Sequence, residues 1–170
     1  MEVIKRYVNK THGSKRYKIE SNCLEKLQSN FECICLNTYH FPKIIQKKDT
    51  CLFLSNCGVS LDNDFEFEVP TNFSFYEKQI DCIIHNLKKN KIIHLDMSAS
   101  GKNLCISAKG IISMIDFDIV KYKNYDLSEI LKNTCIHRSM ITSNDEIRYR
   151  KLKKKMCIII KRKILNQTNK

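Results

Sequence analysis

IIHLDMSASGKNLCISAKGIISMIDFDIV, residues 92–120, is the stretch whose reading decides the fold. Asp96 follows His94 by two positions, Asn103 comes shortly after, and Asp116 heads an Asp-Phe-Asp bounded by β-branched residues. Phosphoryl transfer needs that set in that order: a carboxylate for the nucleophile's proton, then an amide and a second carboxylate to hold metal. Asp96, at a strand-to-loop junction, is placed to accept the proton of an attacking hydroxyl. Asn103 and Asp116 offer hard oxygen ligands, which suit Mg²⁺ because that ion keeps waters and binds through few protein groups.

Outward from this stretch, local patterns predict the surrounding elements. Residues 2–8 alternate as a strand with Lys5 in the middle. Residues 16–29 bring Tyr17, Cys23, Leu24 and Leu27 to one face, as an amphipathic helix does, with Glu20 in its first half. Two short strands are expected at 41–46 and 51–57, joined by the turn-prone Lys47-Lys48-Asp49, and Gly58 breaks the second. Pro70-Thr71-Asn72 reads as a helix start, followed by Tyr76, Ile80, Ile83, Ile84 and Leu87 at helical spacing. A strand-loop-strand set is expected at 92–94, 103–106 and 111–115. Beyond Asp126 the pattern returns to helix. Asn144 is placed to cap a last helix with Ile147, Leu152, Met156, Ile159, Ile160 and Ile164 on one stripe and lysines on the other. This order is α+β rather than an alternating doubly wound sheet.

Composition bounds the rest. A chain of 170 residues with 42% hydrophobic residues fits one domain with a real core. The opening MEVIKRYVNK has no long apolar run, so neither a signal peptide nor a membrane span is expected, and a cytoplasmic location follows. Richness in Lys, Asn and Ile resembles AT-rich coding sequence, which would make that the host-cell cytoplasm if the source is viral. A net charge of +12 attracts polyanions in general, and much of it sits in 148–163, RYRKLKKKMCIIIKRK. Nine cysteines without a secretory signal read as reduced thiols. Their irregular spacing contains no Cys-x-x-Cys pair, which argues against a structural zinc site and for small core residues.

From Lys5 to Val120 the chain resembles a stripped-down protein-kinase-like fold. His94-Leu95-Asp96 is similar to the catalytic-loop His-x-Asp, Asn103 to the metal-binding Asn, and Asp116-Phe117-Asp118 to the magnesium motif Asp-Phe-Gly. LFLSNCGVSLD at 52–62 looks like the hinge that lines an adenine pocket, through Asn56, Cys57 and Gly58. The resemblance implies a reduced two-lobed fold with a small strand/helix N-lobe and a mainly helical C-lobe, as one domain over 1–170. Its parts would be the N-lobe and hinge (1–57), the C-lobe with the catalytic loop (58–143) and a basic amphipathic helix (144–170). It implies ATP and Mg²⁺ as cofactors, Asp96 as base, and Asn103 and Asp116 as metal ligands. Lys5 would neutralise phosphates with Glu20 orienting it, and His94 would brace the catalytic loop.

The departures are equally specific. Asn103 lies seven residues after Asp96, where the family pattern has five, and the position five along is Gly101. Leu95 replaces the Arg that reads a phosphorylated activation loop, and Asp118 replaces the Gly of Asp-Phe-Gly. No Gly-rich strand-turn-strand precedes Lys5, and Ser100-Gly101-Lys102 lacks the upstream Gly of a phosphate loop. Three functions remain open from sequence: a phosphotransferase acting on a hydroxyl, most simply a protein's; a pseudokinase that binds a partner as a scaffold; and a nucleic-acid-binding module led by the basic helix. No membrane partner is expected.

Overall fold

A computed structural model describes residues 2–7, 13–35, 37–65, 67–122 and 144–168. The helical pattern expected between Asp126 and Asn144 lies outside the described residues. The fold is α+β, with three helices and small antiparallel sheets among the described residues.

The first sheet has the order β1-β3-β2, made of β1 (Glu2–Arg6), β2 (Ile44–Lys48) and β3 (Cys51–Ser55). Every pairing is antiparallel, and Lys5 stands opposite Leu52. Leu52 and Leu54 of β3 are buried while their neighbours are half-covered, the period-two pattern of a strand with one face on a core. That core is supplied by α1 (Gly13–Asn30), which buries Ile19, Cys23, Leu24 and Leu27. The helix starts three residues earlier than its apolar pattern does, and Gly13 lets it: a Cβ there would lie 2.2 Å from the Tyr7 carbonyl oxygen.

Two polar side chains anchor the far end of α1. Gln28 Oε1 accepts the Ile44 backbone N–H at 3.1 Å. In the following loop, Asn86 clasps Glu32: its Oδ1 accepts the Glu32 N–H and its Nδ2 donates to the Glu32 carbonyl, both at 2.8 Å. A buried amide matched in this way satisfies loop backbone groups that would otherwise lose hydrogen bonds on leaving water.

Asn86 belongs to α2 (Phe73–Lys89), which begins where the sequence signals it. Asn72 caps it by accepting the Ser74 N–H at 3.0 Å, and Lys88 and Lys89 fill the last turn, where the helix dipole favours cations. Tyr76, Ile80, Ile83, Ile84 and Leu87 are all buried. Each apolar side chain taken from water stabilises the fold by about 1.5–3 kcal/mol, so this face is a major contributor to the core.

The second sheet has the order β4-β6-β7, from β4 (Val59–Ser60), β6 (Leu104–Ile106) and β7 (Ile112–Met114). The strand-loop-strand set expected over 92–115 is corrected in one respect. β5 (Ile93–His94) does not join β6; it pairs antiparallel with β8 (Val120–Lys121), and the Leu95 N–H extends the pairing to the Ile119 carbonyl at 3.1 Å. The intervening loop packs Gly101 against Leu61 and Ile159, which turns the chain away from β5 before β6 begins.

The last helix, α3 (Asp145–Thr168), is capped by Asn144, whose Oδ1 accepts the Ile147 N–H at 2.9 Å. Leu152, Met156, Ile159, Ile160 and Ile164 are buried as the stripe requires, joined by Tyr149, while Ile147 is half-buried. Lys153 binds Asp81 of α2 at 2.5 Å, and Lys155 donates to the Met97 carbonyl in the loop after β5. No described helix is long and apolar enough to cross a membrane.

Candidate functional site

The site is assembled around Lys5. Its position on β1 directs the ammonium towards α1, where Glu20 is fully buried about two turns past the helix start, and Nζ lies 2.5 Å from Glu20 Oε2. Lys5 also bonds Asp116 Oδ1, so one ammonium bridges carboxylates from a helix and from the segment after β7. Glu20 is fully used: Oε2 additionally accepts the Tyr7 hydroxyl, and Oε1 accepts the Phe117 backbone N–H at 3.1 Å. Burial alone would lower the Lys5 pKa, but Glu20, Asp116 and Asp118 outweigh it and hold the ammonium well above its ordinary range.

The Asp-Phe-Asp segment is arranged to keep its two carboxylates different. Burial would raise Asp116, yet Lys5 beside it holds its carboxyl below the usual range. Asp118 is pushed up to about 7 by burial and by the neighbouring Asp116 charge, against the partial relief of Lys5 and of Arg16 at 3.4 Å. Asp116 has φ +65°, a left-handed conformation that an L-residue keeps only when its surroundings hold it there. Phe117, between them, is fully buried against Phe41 and the ring of His94, the latter with centroids 5.2 Å apart.

His94 is completely buried, and burial lowers its pKa, so the ring is neutral. Nε2 lies 3.0 Å from the Ile115 carbonyl oxygen, an acceptor, so Nε2 carries the proton and Nδ1 is the bare nitrogen. The ring thus ties the loop after β5 to the residue before Asp116.

Asn103 returns to the site despite the longer loop. Residues between Asp96 and Asn103 bulge outward, with Gly101 at φ +88° and its carbonyl accepting the Leu104 N–H at 2.9 Å. A Cβ at Gly101 would come within 2.8 Å of Ile159, so glycine permits the bulge to close against α3. Asn103 Nδ2 then donates to the Asp96 carbonyl and lies 3.4 Å from Asp96 Oδ2. That orientation leaves the Asn103 amide oxygen as the ligand atom on offer. Lys102 Nζ stands 3.3 Å from Asp96 Oδ2.

A cleft of about 460 Å³ opens beside these groups, lined by Lys5, Glu20, Lys102, Asn103 and Asp116. Its lining also includes the apolar Val3, Ile4, Leu54, Cys105 and Ile115, the hydroxyls of Ser55 and Ser60, and the segment Asn56-Cys57-Gly58. That segment is fixed by the Gly58 N–H donating to Asn56 Oδ1 at 2.8 Å and by Gly58 at φ +101°, where a Cβ would meet the Ile106 carbonyl at 2.2 Å. No protein-family model matches the chain, and no curated protein matches it.

The residues singled out from sequence thus fall into one neighbourhood. Lys5, Glu20, Asn103, Asp116 and the 56–58 segment share a cleft, and Asp96 is joined to it through Asn103 and Lys102. Sequence reasoning missed Lys102, which carried no signal beyond a rejected Ser-Gly-Lys. It also missed Tyr7, whose signal was its place two along from Lys5 on the same strand face, and the Arg16–Asp118 pair, which nothing local announces.

Proposed function

We propose that this chain is a reduced, protein-kinase-like phosphotransferase that moves the γ-phosphoryl group of ATP to a hydroxyl, a protein side chain being the first acceptor to test. The single observation that carries the reading is Lys5, held between buried Glu20 and Asp116 in the lining of a cleft that also presents Val3, Ile4, Leu54 and Ile115. An apolar slot with a few convergent charges suits a nucleotide, base in the slot and phosphates at the ammonium. In this reading the first sheet and α1 form the small lobe, and the rest of the described chain forms the large one.

Each residue then has a role set by its surroundings. Lys5 binds phosphate oxygens, and Glu20 orients it while fixing the Phe117 backbone. The Asn103 amide oxygen and the Asp116 carboxylate would hold Mg²⁺, which when bound neutralises charge on the phosphates. Asp96 accepts the proton of the attacking hydroxyl, and Lys102 neutralises charge beside it. His94 braces the loop through Ile115.

Titrating the full chain with Mg-ATP and following transfer from γ-labelled ATP tests the proposal. Asp96→Asn is expected to bind nucleotide yet lose about 10²–10⁴-fold in transfer, the usual contribution of a positioned base. Asp116→Ala is expected to lose metal-dependent nucleotide binding as well. Absence of nucleotide binding to the unaltered chain would sink the reading.

One observation favours the pseudokinase alternative: the Asp96 side chain is already engaged by Lys102 and faced by Asn103. Nucleotide binding with no transfer to any offered hydroxyl would select it. The nucleic-acid reading is weakened because Lys153, Lys155 and Lys163 of α3 reach back to Asp81, Met97 and Asn63.

A further inference from the structure

The loop after α1 carries Cys33 and Cys35, both half-buried, and it runs against α2 where Cys82 is buried. The three sulfurs all lie within 4.8 Å of one another. Cys33 and Cys35 Sγ are 3.7 Å apart, too far for a disulfide. A tetrahedral zinc with Zn–S near 2.3 Å sets its sulfur ligands about 3.8 Å apart. The pair therefore already stands at ligand spacing.

A fourth donor stands beside one of them, Cys35. His40 Nε2 is 3.0 Å from Cys35 Sγ, while Nδ1 is 2.7 Å from the Ile112 carbonyl oxygen. Since a carbonyl accepts, Nδ1 bears the proton and the lone pair of Nε2 points at the sulfur. A histidine oriented by a backbone carbonyl on one nitrogen, with the other bare, is the usual posture of a metal ligand. His40 is fully buried.

The surroundings are built for sulfur that carries negative charge. Backbone N–H groups of Cys35, Thr38 and Asn37 point at the Cys33 sulfur. The loop reaches this geometry by putting Asn37 at φ +55°. The Ile34 N–H points at Cys82, and Asn86 Nδ2 lies 3.8 Å from the same sulfur. Several N–H donors thus converge on these sulfurs.

We propose that Cys33, Cys35, Cys82 and His40 bind one structural Zn²⁺. Three sulfurs and one imidazole satisfy a tetrahedral ion with no position left for water, so the site is closed and structural rather than catalytic. On binding, the thiol protons pass to solvent and the sulfurs coordinate as thiolates. The ion staples the loop after α1 to α2 and, through His40, to β7, whose Met114 N–H donates to the His40 carbonyl at 3.0 Å. Sequence spacing argued against zinc because it weighs only neighbouring cysteines, whereas Cys82 arrives from another helix. The inference does not depend on the phosphotransferase reading.

Elemental analysis of the untreated full-length protein is expected to find about one zinc per chain. Refilling the chelator-stripped protein with Co²⁺ should give thiolate charge-transfer absorption and the visible bands of tetrahedral cobalt. Stripping zinc should lower the melting temperature by at least about 5 °C, and zinc should restore it. Cys35→Ser and Cys82→Ser should each abolish the charge-transfer signal, while Cys105→Ser, in β6, should retain it. Should a variant fail to fold, zinc-dependent protection of Cys33 and Cys35 from alkylation in the unaltered chain reads out the same site. Metal-free protein with freely alkylated cysteines, a native Cys33–Cys35 disulfide, or cobalt absorption that survives Cys35→Ser would each overturn the proposal.

Discussion

Replacing Glu20 by Gln keeps the shape of the side chain and removes its charge, at a residue with no solvent exposure and three donors to satisfy. Glu20 Oε2 takes Lys5 and the Tyr7 hydroxyl, and Oε1 takes the Phe117 N–H. A Gln amide has one acceptor oxygen and one donor nitrogen, so every orientation sets N–H groups against a donor. With the nitrogen at the Oε1 position, the buried Phe117 N–H is orphaned, a loss of about 1–3 kcal/mol. With it at the Oε2 position, the nitrogen faces the ammonium, and breaking a buried ion pair outright costs about 3–5 kcal/mol. Lys5 is about a quarter exposed and keeps Asp116, which moderates the second case. Both routes give about 2–3 kcal/mol, or a melting temperature lower by about 4–12 °C in a chain of this length. Thermal unfolding by circular dichroism measures it. A cycle with Lys5→Met should show coupling of at least about 1 kcal/mol between the two positions. Mg-ATP affinity should fall in parallel, because the Phe117 backbone carries Asp116. A shift under about 2 °C with unchanged nucleotide binding would refute the view that Glu20 organises the site.

Two further outcomes follow from the same geometry. Asp118, with its pKa raised to about 7 in the fold, favours the protonated form there. Its contribution is therefore complete below the ordinary carboxylate range and is lost as pH rises towards about 7. Asp118→Asn imitates the protonated group, so its melting temperature relative to the unaltered chain should climb from about pH 4 to about pH 8; a flat difference would contradict the raised pKa. Gly58→Ala sets a Cβ 2.2 Å from the Ile106 carbonyl at φ +101°, which costs about 1–3 kcal/mol in backbone strain before any clash is counted. It should lower the melting temperature and weaken nucleotide binding together; an unchanged affinity would show that the 56–58 segment does not contact the base.

What could be read from the sequence is what depends on neighbours along the chain. α2 was legible because an Asn cap precedes five apolar residues at helical spacing, and the buried stripe of α3 was legible for the same reason. β4, β5 and β8 are two residues each, too short for alternation to show, and the β5–β8 pairing joins segments with a whole hairpin between them. In the site, the order of Asp96, Asn103 and Asp116 was visible, but the return of Asn103 to Asp96 was not. It depends on how Gly101 packs against a helix from the far end of the chain. Lys102 and the Cys33–Cys35–Cys82 cluster were hidden likewise, since their partners are supplied by tertiary contact.

The clasp of Asn86 on Glu32 has a consequence for control. Together with Gln28 on Ile44 and Glu20 on Lys5, it holds α1 near its middle, near its end and just beyond it. Where such a helix swings, apparent affinity is divided by the fraction of molecules in the competent pose. Here the pose stands before any ligand arrives, and in the kinase-like reading Leu95 stands where an arginine would sense a phosphorylated loop. As a phosphotransferase, the molecule would be switched on from the moment it folds. Its output would then follow how much is synthesised and where it is delivered.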